Sequence, residues 1–262
     1  MKIVFIGAGN LATHLSKALN EAGFEIVQVY SRTESSAWML AEALQAPYTT
    51  DVSDIVTDAS LYVVSVSDDA IEALAERLPL TDGLVVHTAG SVPMNIFAGK
   101  QLNYGVLYPL QTFSKVRAID FSDIPLFLEA NSSGSLQILT DIAVAISRRI
   151  YFASSEERRQ LHLAAVFGCN FVNHLYHLAA QITEQAGFGF GVLSPLILET
   201  AYKAVASRKP QSVQTGPAVR DDQEVMRKHL ELLATRPEWQ EIYAMLSKSI
   251  GRIKNDLGAV NE

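Results

Sequence analysis

Cysteine is almost absent from this chain. Cys169 is the single one among 262 residues, so no disulfide can form within the chain, and a reducing compartment, the cytoplasm, is expected. Inside a helical apolar stretch a lone cysteine reads as a small core residue. Long apolar runs are absent too. None approaches the roughly 20 residues that span a bilayer, so no membrane partner is expected. The apolar start, MKIVFIGAG, breaks after Ile6 at a glycine turn and reads as a first strand, not a signal peptide. Positive charge is in deficit: 21 Lys and Arg against 28 Asp and Glu give −7. With no basic stripe carrying interleaved aromatics, nucleic acid is not expected as a partner. No internal repeat or low-complexity segment is present.

What is there is an alternation of short β-branched runs and amphipathic helices. KIVFI (2–6), FEIVQVY (24–30), LYVVSV (61–66), GLVVHT (83–88), NYGVLYP (103–109), IPLFLE (124–129) and RIYFA (149–153) read as strands. Between them Leu11, Leu15, Ala18, Leu19 and Ala22 recur at helical spacing before Gly23, and AWMLAEAL (37–44), AIEALAERL (70–78) and about 135–147 read as further helices. This predicts an α/β fold with a mostly parallel, doubly wound sheet. The pattern changes near residue 154. Ser154 and Glu157 form a capping box, and no strand or turn signal follows until Gly187. Ser194 and Pro195 open another helix, and 221–234 and 237–256 complete an all-helical second half. Two domains are expected, 1–153 and 154–262. So much apolar helix in about 108 residues suggests burial against a second copy, a two-fold homodimer.

Gly7, Gly9 and Ala12 fit G-x-G-x-x-A, between the first strand and the first helix, the context in which this spacing binds a dinucleotide. Gly7 permits the tight turn. Gly9, lacking Cβ, lets a pyrophosphate approach the backbone. Ala12 lets helix and strand pack closely. Ala8, Asn10 and Leu11 complete the phosphate seat, where free N–H groups attract anions. An NAD-binding chain places an acidic residue at the end of the second strand, but here stand Ser31, Arg32 and Thr33. The Arg32 guanidinium can pair bidentately with a 2′-phosphate, which favours NADP. The alternative is a solvated loop arginine paired with Glu34. Ser65, Val66 and Ser67 end another strand and should border the cofactor. Thr88, Ala89 and Gly90 form a plausible turn at the nicotinamide side. Asp68 and Asp69 suit the N-terminus of the helix that follows.

Five stretches together, MKIVFIGAGNLATHLSKAL, VVSVSDDAI, VVHTAGSV, YPLQTFS and TGPAVRDD, resemble a family of Rossmann-like proteins whose helical C-terminal domain is known only as a domain of unknown function. That family is similar to pyrroline-5-carboxylate reductase, to deazaflavin-dependent NADP oxidoreductases and to β-hydroxyacid dehydrogenases. The resemblance covers nearly the whole chain. It implies an NADP-binding Rossmann domain, an all-helical C-terminal domain of the 6-phosphogluconate-dehydrogenase type that often dimerises, and a site in the cleft between them. The chain departs from the family pattern at Tyr108, where His is frequent, at Ala89, where Ser is common, and at Asp221, where Gly is common. No lysine lies between Lys115 and Lys203, so the Lys and Asn pair typical of β-hydroxyacid dehydrogenases is not evident.

Four residues are candidates for chemistry. His87 ends a strand on the ligand-binding edge and is either a proton donor or a partner of the Thr88–Gly90 turn. His162, Val166, Asn170 and His174 recur at steps of four on one helix face, a ligand surface or a buried polar network. No adjacent carboxylate completes a ligand set, so no metal is expected. The resemblance favours Asn170 as a substrate or nicotinamide contact. His162 is either a ligand contact or a structural histidine. Arg220, in TGPAVRDD, can bind a substrate carboxylate, while Asp221 or Asp222 caps the next helix. The expected function is an NADP-dependent oxidoreductase passing hydride to or from a small carbonyl or imine in the interdomain cleft. The alternatives are a deazaflavin-dependent NADP oxidoreductase and a non-catalytic NADP-binding sensor.

Overall fold

A computed structural model of the chain describes residues 1–207 and 209–259. In chain order its first part runs β1 (Lys2–Ile6), α1 (Asn10–Glu21), β2 (Glu25–Tyr30), α2 (Glu34–Leu44), β3 (Tyr48–Thr49), β4 (Leu61–Val64), α3 (Asp68–Ala75), β5 (Leu84–His87), β6 (Asn103–Pro109), β7 (Leu126–Ala130), α4 (Ser133–Ile146) and β8 (Ile150–Phe152). The eight strands form one sheet in the order β3-β2-β1-β4-β5-β6-β7-β8. All neighbours are parallel except β6 and β7. The expected doubly wound, mostly parallel sheet is what forms. The two-residue β3 is too short to leave a periodic signature.

Strand alternation sends Ile3 and Phe5 to one face and Val4 and Ile6 to the other, all fully buried. On the first face they join Leu15 and Leu19 of α1, Leu40 of α2 and Leu139 and Ile142 of α4. On the second they meet Ile71 and Leu74 of α3 and Phe97. Burial on both faces is why these strands read as unbroken apolar runs. The strand order reverses at β1, with β2 on one side and β4 on the other, and this switch point opens a crevice at the carboxyl ends of the strands.

After β8 the chain is helical: α5 (Ser155–Ala165), a π-helical segment (Val166–Phe171), α6 (Val172–Gln185), α7 (Ser194–Ala206), α8 (Pro217–Arg220), α9 (Gln223–Leu232) and α10 (Pro237–Ala259). The Ser154 hydroxyl accepts from the Glu157 N–H, and the Glu157 carboxylate accepts from the Ser154 N–H at 2.8 Å, the capping box expected. The long helix is not uniform, because 166–171 widens to π geometry, a form frequent at functional sites.

The strands end near residue 153, where a domain boundary is expected from sequence, yet two compact units divide later, into Met1–Leu175 and Tyr176–Glu262. The first turns of α5 are tied to the sheet by Arg158, described below. In the second unit Arg236 lies over the Trp239 ring at 4.3 Å, His229 and Tyr243 share a hydrogen bond at 2.8 Å, and the Asp222 carboxylate caps α9 by accepting from the Val225 N–H.

Candidate functional site

One cavity of about 1160 Å³ lies along the carboxyl edge of the sheet, walled entirely by residues of the first unit. A drug-sized ligand needs roughly 300–1,000 Å³, so this space holds a dinucleotide-sized molecule. Gly7, Ala8, Gly9, Asn10 and Leu11 form one wall. Gly7 has φ +121°, and a Cβ there would stand 2.1 Å from the Ser65 carbonyl oxygen. Its glycine is required by both backbone and space. Gly9 is the opposite case: a Cβ there meets nothing within 4 Å, so the backbone lies bare to the cavity. Gly9 caps α1 without any side-chain bond, and no acidic residue occupies the first turn, so the helix N-terminus is left open to an anion. Ala12 is not in the cavity wall. It is fully buried in the core, the packing position expected of it.

Ser31, Arg32 and Thr33 line the cavity beyond β2. The Arg32 side chain makes no ion pair or hydrogen bond among the described residues. Glu34, its possible partner, instead accepts from the Tyr48 hydroxyl at 3.5 Å. Arg77, two residues past α3, also lines the cavity. These features fit a phosphorylated dinucleotide: a bare glycine turn, an uncapped helix end and an uncommitted arginine.

At the other side Ser65, Val66, Ser67, Thr88, Ala89 and Gly90 line the wall as expected, with the Thr88 hydroxyl donating to the Ser65 hydroxyl at 3.2 Å. Facing them across the crevice are His162, Ala165, Cys169 and Asn170 from α5 and the π segment. Cys169 and Asn170 of the π segment both line the wall. Cys169 is therefore an exposed wall residue and not the core residue its sequence context suggests. Gly90 admits His162: a Cβ on it would meet His162 Nδ1 at 2.7 Å. His162 Nδ1 shares a hydrogen bond with the Tyr108 hydroxyl at 3.2 Å. Tyr108 is 8% exposed, and its pKa is pushed up to about 12 by burial first and by the nearby Asp68 charge second, so it keeps its proton at neutral pH. Asp68 also accepts from the Ser91 hydroxyl.

His87 does not belong to this wall. It is fully buried, and its ring packs 5.9 Å from Phe97. Its Nδ1 accepts from the Ala89 N–H at 3.2 Å. Its pKa falls to about 3, first through burial and then through the positive charge of Arg158. A neutral imidazole whose Nδ1 accepts from the turn is a very weak acid and lies outside the cavity wall, which favours the structural reading of His87 over the proton-donor one. Arg220 is an exposed residue of the four-residue α8, in the second unit, and is not among the residues of this wall.

A residue that anchors α5, the helix carrying His162, went unseen in the sequence. Arg158, one turn earlier on α5, is 1% exposed. It pairs with Glu129 of β7, donates from Nε to the Ala89 carbonyl at 3.2 Å, and donates to the Val92 carbonyl and the Ser155 hydroxyl. Ser155 in turn donates from its N–H to Glu129 at 3.0 Å. The guanidinium thus staples α5 to β7 and to the turn that carries Ala89. In sequence Arg158 sits in SSEERRQ, which reads as a solvated, charged first turn.

The sequence profile of the coenzyme F420-dependent NADP oxidoreductases matches residues 2–90, and that of a domain of unknown function, DUF2520, matches residues 124–250. A provisionally named NADP oxidoreductase of Bacteroides fragilis is 49% identical and shares the fold with a TM-score of 0.90, over 96% of this chain and 98% of its own. Pyrroline-5-carboxylate reductase of Streptococcus pyogenes, 16% identical, superposes with a TM-score of 0.65 over 95% and 98%. An imine reductase of Myxococcus stipitatus in complex with NADP+, also 16% identical, does so with 0.61 over 99% and 95%. Among curated protein sequences none matches the chain. At such identity over nearly the full length of both chains, this protein belongs to the NADP oxidoreductase family of its Bacteroides fragilis relative.

Proposed function

We propose that the protein is an NADP-dependent reductase of a small carbonyl or imine compound. The observation that carries this reading is the single cavity that joins an open phosphate seat at Gly9, an uncommitted Arg32 and the Tyr108–His162 pair. The α1 N-terminus would hold the pyrophosphate, with Arg32, Ser31 and Thr33 on the 2′-phosphate. Bound nicotinamide supplies or accepts hydride. Chain atoms do the rest. The Thr88–Gly90 turn and Asn170 would orient the reacting group. Tyr108 would hold the hydroxyl proton that the substrate oxygen or nitrogen takes up as its carbon is reduced, and the hydrogen bond to His162 Nδ1 would let a solvent proton be relayed back to Tyr108. The 49% identity to a protein named as an NADP oxidoreductase supports the cofactor, and the fold shared with imine and pyrroline-5-carboxylate reductases is compatible with a C=N substrate.

The test is NADPH consumption with a panel of cyclic imines, aldehydes and ketones, and with a deazaflavin as a separate arm. Turnover on an organic class is expected, reduced about 10²–10⁴-fold in Tyr108→Phe with NADPH affinity unchanged. Turnover on the deazaflavin alone, or a Tyr108→Phe enzyme as fast as wild type, contradicts the reading.

We further infer a homodimer. Leu163, Phe167 and Phe171, at steps of four on one helical stripe, are 57%, 63% and 50% exposed, and Leu196, Tyr202 and Val205 of the second unit are more exposed still. Apolar stripes of this size need a partner surface. Sedimentation equilibrium should give twice the chain mass, and a monomer at micromolar concentration contradicts it.

A further inference from the structure

The glycine turn and the start of α1 are fastened from outside by a distant stretch of chain, residues 113–115, which follows β6. Asn10 Nδ2 donates to the Phe113 carbonyl at 3.0 Å, His14 Nε2 donates to the Ser114 carbonyl at 2.9 Å, and Lys115 Nζ donates to the Ala8 carbonyl at 3.0 Å. The stretch has its own anchor. The Phe113 ring stacks on Phe121 at 5.8 Å, and Phe121 belongs to the core on that face of the sheet. Residues 113–115 are thus held independently of the turn and form a strap across it.

Two of these bonds run from α1 to the strap. The third runs the other way and lands on the peptide that joins Ala8 to Gly9. Both of those residues line the cavity, and Lys115 is not among the residues of the wall. In a trans peptide the C=O of one residue and the N–H of the next point in opposite directions. With the Ala8 carbonyl drawn outward to Lys115, the Gly9 N–H of the same peptide is turned inward, where the bare glycine backbone faces the cavity. The ammonium also sets a full positive charge behind that peptide, which polarises it and makes the N–H a stronger donor. We propose that Lys115 is a positioning residue for the cofactor: it locks the Ala8–Gly9 peptide so that the Gly9 N–H meets the pyrophosphate, and does so without touching the cofactor. This rests on the NADP reading and adds to it a residue that stands 107 positions from the turn it serves. The strap raises affinity for any dinucleotide with a pyrophosphate bridge and leaves the choice between NADPH and NADH to Arg32.

The experiment is calorimetric titration of NADPH, of NADH and of adenosine 2′-phosphate, which lacks the pyrophosphate, into wild type, Lys115→Met and Lys115→Arg. Lys115→Met should weaken NADPH and NADH by the same factor, about five- to tenfold, and leave adenosine 2′-phosphate at its wild-type affinity. Lys115 is otherwise an exposed residue, so Tm should stay within a few degrees. Lys115→Arg, whose guanidinium can still donate to the Ala8 carbonyl, should recover most of the loss, a rescue that a generally loosened strap would not show. A loss confined to NADPH would place Lys115 on the 2′-phosphate and overturn the proposal. So would an equal loss of adenosine 2′-phosphate, no loss at all, or a Lys115→Arg protein as weak as Lys115→Met. Each of these results, with wild type still preferring NADPH, leaves the NADP reading standing. Failure of wild type to bind NADPH overturns both.

Discussion

A methyl group added at Gly7 and one added at Gly9 should have opposite consequences. At Gly7 the new Cβ would stand 2.1 Å from the Ser65 carbonyl oxygen and 2.7 Å from its carbon. Neither side can yield, because the Gly7 N–H is held by the Tyr30 carbonyl and the Ser65 N–H by the Ile6 carbonyl, each at 2.8 Å. The overlap costs about 1–3 kcal/mol and the positive φ about 1–2 kcal/mol more. At roughly 2–4 °C per kcal/mol, Gly7→Ala should lower Tm by roughly 5–20 °C. At Gly9 the Cβ meets nothing within 4 Å, and φ −75°, ψ −172° is extended backbone open to alanine. Gly9→Ala loses only a slightly better N-cap, within about 1 kcal/mol, so Tm should stay within a few degrees. The same methyl would occupy the place of the pyrophosphate, and NADPH should bind about 10- to 100-fold more weakly. Calorimetric melting and NADPH titration of both variants read the two effects separately. Wild-type NADPH affinity in Gly9→Ala would refute the phosphate seat, and a wild-type Tm in Gly7→Ala would refute the steric argument.

Two further outcomes are expected. Arg158→Met should cost about 3–5 kcal/mol in urea unfolding, because it leaves the largely buried Glu129 carboxylate unpaired, and Arg158→Met/Glu129→Gln should regain much of that. Equal stability of the single variant and wild type would deny the staple. His87 takes a proton near pH 3 when folded but near its ordinary 6.5 when unfolded, so the unfolded chain binds the extra proton between those values. Its contribution, roughly 3–5 kcal/mol, is complete above pH 6.5 and is lost as pH falls toward 3. His87→Asn, whose Oδ1 can still accept from the Ala89 N–H, should flatten the slope of stability against pH across that window. An unchanged slope would contradict the burial argument.

The parallel sheet and the glycine turn at the cavity were legible because each rests on local pattern. Apolar runs mark strands buried on both faces, and Gly7, Gly9 and Ala12 carry their own geometric reasons. The polar row on the long helix was legible as a row, and its His162 and Asn170 do reach the cavity. What decides their neighbours was not. Tyr108 stood out only as a departure from a family pattern, and its meeting with His162 spans 54 positions. Arg158 reads as surface because charged first turns usually are, and only the approach of β7 and the 89–92 turn buries it. His87 showed its place on the edge but not the depth that neutralises it. The π segment, set within a continuous helical pattern, leaves no mark in hydrophobic spacing.

The central claim is that this cavity takes NADP through Arg32. Titrating NADPH and NADH into wild type and Arg32→Ala at one salt concentration tests it most directly. The account predicts a clear preference for NADPH in wild type, about tenfold or more, that collapses in Arg32→Ala while NADH affinity holds. Equal affinity for the two cofactors in wild type, or equal loss of both in the variant, would contradict it.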